Sequence, residues 1–464
     1  MTGFIPPFPP PMQKTSKLKK LLALPSKYFK YRHSALSSVI ANAYSMKVGE
    51  VSTPGGKIFV VNEPEVWKRV LVDEAENFPK SDVIADMLEL LMGDSIFVSN
   101  GEVWKRQRRM MDPAFENTRI KIVFNLMRDA ADALIERMDK LADGGSQAID
   151  LEMTHVTADI IFRTIFSIPM TADDAHKIFS AFTIFQETAY AHGIDRSLGL
   201  PRVLGFFRHR KARAAAAIIR GVLDPIVKAR FESFHGGEAQ SHQDILQSLV
   251  SEKDKISGTH FDLRELCEQV SMLFLAGHET SASSLAWALY LITMDDDVQA
   301  RLHAETVAVL GGRAPEFSDM RKLNLARNVF HEALRLYPPV AFLPRTAAKA
   351  CTVRTKDVPK GATVSVSPWL IHRHRAHWPA PDTFEPDRFD RPETAQCQRD
   401  AYLPFSKGPR VCLGASFALQ EATLIIAMLA RRYRFSPVAG FTPEPIGRLT
   451  VRSENGIRLR VERR

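Results

Sequence analysis

The chain is poor in cysteine, and its cysteines lack the spacings that usually give the residue a function. Cys267, Cys351, Cys397 and Cys412 are the only four in 464 residues, and no two form a CxxC pair. A zinc ribbon and a disulfide framework are therefore excluded, and a reducing, cytoplasmic setting is expected. No apolar run approaches the roughly 20 residues of a membrane-spanning helix, so neither a signal peptide nor an anchor is expected. A dinucleotide-binding glycine pattern and iron–sulfur cysteine spacing are missing as well. The 62 Lys and Arg exceed the 53 Asp and Glu, giving a formal charge of +9. That balance favours acidic partners, but no nucleic-acid-binding motif accompanies it.

What is present is ample apolar content, 45% of residues, in a chain long enough for a large core. Residues 1–25, MTGFIPPFPPPMQKTSKLKKLLALP, are proline-rich and then basic, and are expected to form a solvated tail before a single domain at 26–464. Their basic and apolar residues leave peripheral membrane contact open. Strand-like segments MKVGEV and KIFVV lie near residues 46–61, and helical spacing dominates from there to about residue 335. The window from Asp262 to Met294 would span ~50 Å as one helix. Because it contains Glu265, Glu268, His278 and Glu279, it reads as a buried central helix. After Tyr337 the chain turns rich in proline and turn residues, a long ordered coil of the kind that often serves function.

FSKGPRVCLG, Phe405 to Gly414, sets Cys412 just before a helical pattern, LGASFALQEATLIIAMLARRY. A helix N-terminus there would favour a thiolate over a thiol. Gly408 and Gly414 permit backbone geometries and close approaches that side chains block, and Arg410 supplies a permanent cation. Taken alone, such a cysteine is ordinarily structural. Three other stretches bear on it. HEALRLYPPV sets Glu332 and Arg335 three apart on one helical face, GEVWKRQRRMMDPAF sets Trp104 and Arg108 four apart, and LFLAGHETSASSLAWAL places Gly277 inside the long helix. That glycine costs about 1 kcal/mol relative to alanine. Thr280 is placed to bond back to the carbonyl of Ala276, loosening the helix into a groove; close packing at Gly277 is the plainer reading.

FSKGPRVCLG resembles the heme-binding loop of the cytochrome P450 family, with Ser406 standing where the family usually has glycine. The three other stretches resemble motifs of the same family in the same chain order. The resemblance implies a mainly α fold with a small β-sheet region, and heme between the long central helix and the cysteine-loop helix. It implies heme b as cofactor and Cys412 as iron ligand. Trp104, Arg108, Arg345 and Arg410 would face the propionates, and Phe405, Gly408, Gly414, Ala276 and Gly277 would border the macrocycle. Glu332, Arg335 and Arg388 (in FEPDRF) would hold the coil. Thr280 and Glu279 would be the catalytic pair that delivers protons to reduced O2, with His278 pointing elsewhere.

Monooxygenation of an apolar substrate such as a fatty acid, terpenoid or steroid-like molecule is the implied reaction. Phe97, Ala276, Val340 and Phe342 are the candidate substrate-pocket residues, and the helix around Phe182 and Phe185 should lie nearby. Residues 413–464 hold no reductase pattern, so electrons are expected from a separate ferredoxin or flavodoxin with its NAD(P)H reductase. Lys105, Arg106, Arg109, Lys407, Arg431 and Arg432 would form its docking face. GIDRSLGLPRVLGFFRHRKAR, with Phe206 and Phe207, would cover the pocket entrance. A heme-thiolate isomerase, dehydratase or peroxygenase, and a heme-binding sensor or carrier without turnover, are the competing readings.

Overall fold

A computed structural model describes residues 4–12, 32–197, 199, 206–238 and 242–464. Ten longer helices order the chain: α1 (Asp82–Met92), α2 (Gly101–Met111), α3 (Asn117–Leu141), α4 (Ile149–Phe166), α5 (Ala172–Ser197), α6 (Phe206–His235), α7 (Leu263–Thr293), α8 (Asp296–Leu310), α9 (Asn324–Leu336) and α10 (Ala415–Arg432). The architecture is mainly helical with small sheets. The longest helix, α7, matches the window read from sequence, and its start is set by a capping box in which Asp262 and Glu265 satisfy each other's backbone N–H groups.

In the four-stranded sheet, β1 (Val48–Thr53) and β2 (Gly56–Val61) form a hairpin turning at Pro54 and Gly55. With β3 (Leu343–Thr346) and β4 (Thr363–Val366) the order is β1-β2-β4-β3, β4 running parallel to β2 and antiparallel to β3. Part of the stretch after Tyr337 that reads as coil is therefore sheet. Its alternating residues, buried Val364 and Val366 among them, were too few to show a period.

Helix α7 crosses the core. From Leu266 to Thr293 its residues are buried except Ala276, Gly277 and Thr280. Near its far end Trp287 stacks on Tyr337, ring centroids 3.8 Å apart. No helix among the described residues is long and apolar enough to cross a membrane.

The coil that follows α9 is held by a buried charge cluster. Glu332 accepts from Arg335 at 2.7 and 2.8 Å and from Arg388 at 2.9 Å, with all three side chains fully buried. Arg335 also donates to the carbonyls of His372, Pro381 and Thr383, and Arg388 to those of Pro379, Ala380 and Thr383. One carboxylate thus orients two guanidiniums, which in turn satisfy coil carbonyls that have no secondary-structure partner.

The N-terminus differs from the expected solvated tail. Pro6 is buried. Phe4 meets Tyr290 edge-on and Phe8 meets Tyr44. Tyr337 donates through its hydroxyl to the Pro7 carbonyl at 2.6 Å, and the Phe384 N–H donates to the Phe4 carbonyl at 3.0 Å. Proline fixes an extended backbone at low entropic cost, which suits an aromatic-lined groove. The basic stretch of the expected tail at 13–31 and residues 198 and 200–205 of the expected entrance segment lie outside the described residues, as do the side chains of Phe206 and Phe207.

Replacing Glu332 with Gln leaves buried Arg335 without a carboxylate and Arg388 with only part-exposed Glu385, and is expected to lower stability by about 3–5 kcal/mol in equilibrium guanidinium denaturation. A loss below about 1 kcal/mol would contradict this account of the coil.

Candidate active site

A cavity of about 1380 Å³ lies between α7 and the loop that precedes α10. Ala276, Gly277 and Thr280, the less buried residues midway along α7, all line it, as do Phe405, Arg410, Cys412 and Gly414 from the loop. Its volume exceeds the roughly 300–1,000 Å³ of a pocket for one small ligand, leaving room for two occupants. Phe97, Trp104, Arg108, Val340, Phe342 and Arg345 share the lining. The residues predicted for cofactor and substrate thus meet at one chamber, save Gly408, which works from behind. Phe182 reaches the wall, whereas Phe185 is fully buried in the core.

The cysteine loop is shaped by its backbone. The Cys412 N–H donates to the Phe405 carbonyl at 2.9 Å, closing the loop. Gly408 has φ +74°, and a Cβ there would lie 2.1 Å from the Leu71 carbonyl oxygen, so only glycine fits. Ser406 sits at φ +62°, a left-handed position that costs a non-glycine residue about 1 kcal/mol or more. Helix α10 begins at Ala415 with Gly414 as its N-cap, so Cys412 lies in the loop ahead of the first turn. The helix end does not prevail on the thiol. Although Cys412 is exposed to the cavity, desolvation by the surrounding protein pushes its thiol up, against the opposing pull of the Gly414 N–H, Arg108 and Lys80.

On α7 the Thr280 hydroxyl donates to the Ala276 carbonyl at 2.7 Å, as its spacing predicts. The helix nevertheless runs unbroken from Leu263 to Thr293. Gly277 instead permits close packing, since a Cβ there would lie 2.9 Å from Ile161 of α4. His278 points away from the cavity, its Nδ1 against the Phe274 carbonyl at 2.9 Å and its ring among Phe179, Phe182 and Phe274.

Glu279 is more constrained than a relay needs. It accepts from Arg452 through both carboxylate oxygens, from Thr450 Oγ1 at 2.5 Å and from Gln186 Nε2 at 2.8 Å. Burial pushes its pKa up, but Arg452, His278 and these hydrogen bonds outweigh it and hold the carboxyl below its usual range. None of the three partners stands near Glu279 in sequence, so local motif reading missed them.

With this geometry in place, the comparisons with known proteins decide the family. The cytochrome P450 family model matches residues 28–460. Cyclooctatin synthase of Streptomyces melanosporofaciens is 32% identical over 398 residues, covering 85% of this chain and 84% of that protein. The chain belongs to the cytochrome P450 family. Cyclooctat-9-en-7-ol 5-monooxygenase of the same organism is 31% identical, covering 85% and 83%. Pentalenene oxygenase of Streptomyces avermitilis is 28% identical, covering 88% of each chain. The crystal structure of the cytochrome P450DA heme domain superposes with a TM-score of 0.82 at 24% identity, covering 99% of this chain and 98% of that one. The protein is a cytochrome P450 monooxygenase, an oxidoreductase whose family employs heme iron.

The residues of this P450 fit that group. Lys80, Arg345 and Arg410 crowd one end of the cavity, and their described hydrogen bonds run to neutral acceptors. These are the carbonyls of Phe97, Pro344 and Ser99, and the Asn100 Oδ1. Burial lowers Arg345 to about 10; burial and then Arg345 bring Arg410 to about 10. Lys80 is driven well below the ordinary lysine range by burial and by both arginines. Such a cluster calls for anions, and two carboxylates would meet it. Arg410 also stacks on Trp104, 4.2 Å from the ring centroid. Arg108 is already engaged by Asp112 at 2.6 Å and by the Val411 carbonyl at 2.8 Å. At Gly414 a Cβ would enter open space, leaving bare backbone on the cavity side. Lys80, in FPKSD, carried no sequence signal beyond being a lysine beside a turn.

Four of the six cations of the expected docking face already pair with carboxylates of this P450, Lys407 and Arg431 being the other two. Lys105 pairs with Glu76 and Glu102, Arg106 with Glu265, Arg109 with Asp254 and Arg432 with Asp139. Arg431 donates to the carbonyls of Gly311 and Arg313. Sequence gives the cations but not the distant carboxylates that meet them.

Glu421 of α10 is a further buried acid, hydrogen-bonded to Ser281 beside Thr280. A carboxylate inside an otherwise apolar helix was its signal. Burial pushes it up to about 8, so the folded protein binds more protons than the unfolded chain between about pH 4 and 8. Stability therefore falls as pH rises through that window. Glu421→Gln is expected to flatten the dependence, matching wild type near pH 4 and exceeding it by about 3–5 kcal/mol above pH 8 in equilibrium unfolding. Parallel curves for the two proteins would refute the buried neutral acid. Ser406→Gly is expected to add roughly 1 kcal/mol by relieving the left-handed residue; a destabilised variant would show that the serine side chain is needed where it stands.

Proposed function

We propose that this P450 inserts one atom of O2 into an apolar, ring-containing hydrocarbon, by hydroxylation or epoxidation, with heme b ligated by Cys412. Electrons come from a separate ferredoxin or flavodoxin and its NAD(P)H reductase, and the setting is cytoplasmic. The observation that carries the reading is that Cys412 and Thr280 line the same cavity, one from the loop and one from α7. When bound, the heme iron supplies oxygen activation and one-electron chemistry. The protein's part is binding, orientation and proton handling.

Cys412 would supply the sulfur ligand, and coordination of a metal there would deprotonate the thiol. Lys80, Arg345, Arg410 and Trp104 would hold the carboxylates of the cofactor. Ile84, Met87, Leu88, Phe97 and Phe342 give the distal chamber an apolar wall that excludes water and orients a hydrocarbon. Thr280 Oγ1, which donates to Ala276, is the hydroxyl placed to hold and pass a proton there. Glu279 feeds it once its grip on Arg452 loosens. The names cyclooctatin synthase and pentalenene oxygenase, for relatives that match most of this chain, favour cyclic hydrocarbons.

A peroxygenase reading gains from one observation: Glu279 is held by Arg452 and is not free to relay a proton, whereas peroxide brings its own protons. The first experiment is the carbon monoxide spectrum of the dithionite-reduced protein and of Cys412→Ala. A strongly red-shifted Soret band in wild type alone supports the assignment; a band like that of histidine-ligated heme, or no heme in folded protein, refutes it. Product formed with reductase, ferredoxin and O2 but not with hydrogen peroxide supports the monooxygenase, and the reverse supports the peroxygenase.

A further inference from the structure

Two helices that border the cavity touch through a methionine and a glycine. Gly193 of α5 has Met87 of α1 seated on it so closely that a Cβ would lie 2.1 Å from the sulfur, 2.8 Å from Cγ and 3.2 Å from Cε. Both residues line the cavity. An ion pair between Asp86 and Arg196, 2.8 Å, joins the same helices beside them. A second contact of this kind stands at the cavity's other side, where a Cβ on Gly49 of β1 would meet Met46 Cε at 2.6 Å, and again both residues line the chamber.

We propose that Gly193 sets the size of ligand the cavity admits, by giving the Met87 side chain a notch to withdraw into, and that the favoured ligands are bulky fused-ring hydrocarbons. Methionine has three rotatable bonds and a polarizable thioether, so it fills gaps and yields without strain. With the notch vacant of any side chain, the thioether lies between the helices and the chamber keeps its full width. A methyl group at 193 removes the notch. The helices are held by Asp86 and Arg196, and the core behind Met87 is close-packed, so the side chain moves before the backbone does. The open volume it can reach is the chamber. Occupying it with a thioether narrows the space for a rigid polycycle and leaves a small ligand unaffected. The glycine is thus a specificity-determining residue that need not touch the ligand.

The proposal rests on the reading of this cavity as an apolar substrate pocket, and the test separates the two. Ferric Soret shifts are titrated with progesterone, a tetracycle, and limonene, a monocyclic terpene, in wild type, Gly193→Ala, Met87→Ala and the double variant. Gly193→Ala is expected to raise the progesterone Kd about tenfold while moving that of limonene less than about twofold. The double variant, with no thioether to displace, restores progesterone binding to within about twofold of Met87→Ala. Equal loss for both ligands, or no restoration in the double variant, overturns the proposal. Failure of wild type to bind either ligand overturns the apolar-pocket reading instead. Independently of any ligand, a crystal structure of Gly193→Ala is expected to show the Met87 thioether turned into the chamber; a thioether still beside residue 193, with the helices spread, overturns the notch.

Discussion

The carboxylate of Glu332 is the constraint on which the rest of the architecture leans. It fixes Arg335 and Arg388, and their remaining N–H groups hold the carbonyls of residues 372–383. That coil has little regular structure of its own to satisfy its backbone. Between it and α10 runs the segment that delivers the cysteine loop. A buried ion cluster is weak evidence of stability, because its desolvation is costly, but breaking one member leaves the others uncompensated. Here the arrangement converts one helical turn of α9 into the anchor for a loop almost eighty residues further on.

Charge is distributed in this molecule by distance from compensation. At one end of the cavity, cations crowd against neutral acceptors; on the outer surface, cations of similar type are met by carboxylates. The first pattern stores electrostatic demand for an incoming anion, and the second spends none. Glu279 belongs to neither group. Held by Thr450 and Arg452 of one C-terminal segment and by Gln186 of α5, it ties both to a single carboxyl beside Thr280.

Much of this could be read from the sequence where chemistry is written in contiguous stretches. The cysteine loop, the Trp104 and Arg108 turn, the central helix and the Glu332 turn each carry their geometry in spacings of three to ten residues, and local physics sets those spacings. What could not be read is what joins distant segments. Lys80, Arg452 and Gln186 are unremarkable in their own neighbourhoods and acquire a role only when folding sets them beside Arg345 or Glu279. Gly277 was legible as a glycine that needed a reason, but not which reason, because its neighbour Ile161 lies on another helix. The surface cations were over-read for the same cause: a charge is visible in sequence, while its neutralisation by a remote carboxylate is not.

The proline segment that binds Tyr337 and Phe384 has a temporal meaning. Beyond nearby Tyr44 and Val39, its partners Tyr290, Tyr337 and Phe384 lie more than 280 positions later in the chain. Contacts of such sequence separation form late, after the loop-closure entropy of the intervening chain has been met. Proline suits the wait, since an extended, hydrogen-bond-free backbone neither nucleates a wrong helix nor joins a sheet. The contacts of Phe4 and Pro7 with Tyr290, Tyr337 and Phe384 thus need the later half of the chain in place, and their seating reports that it is.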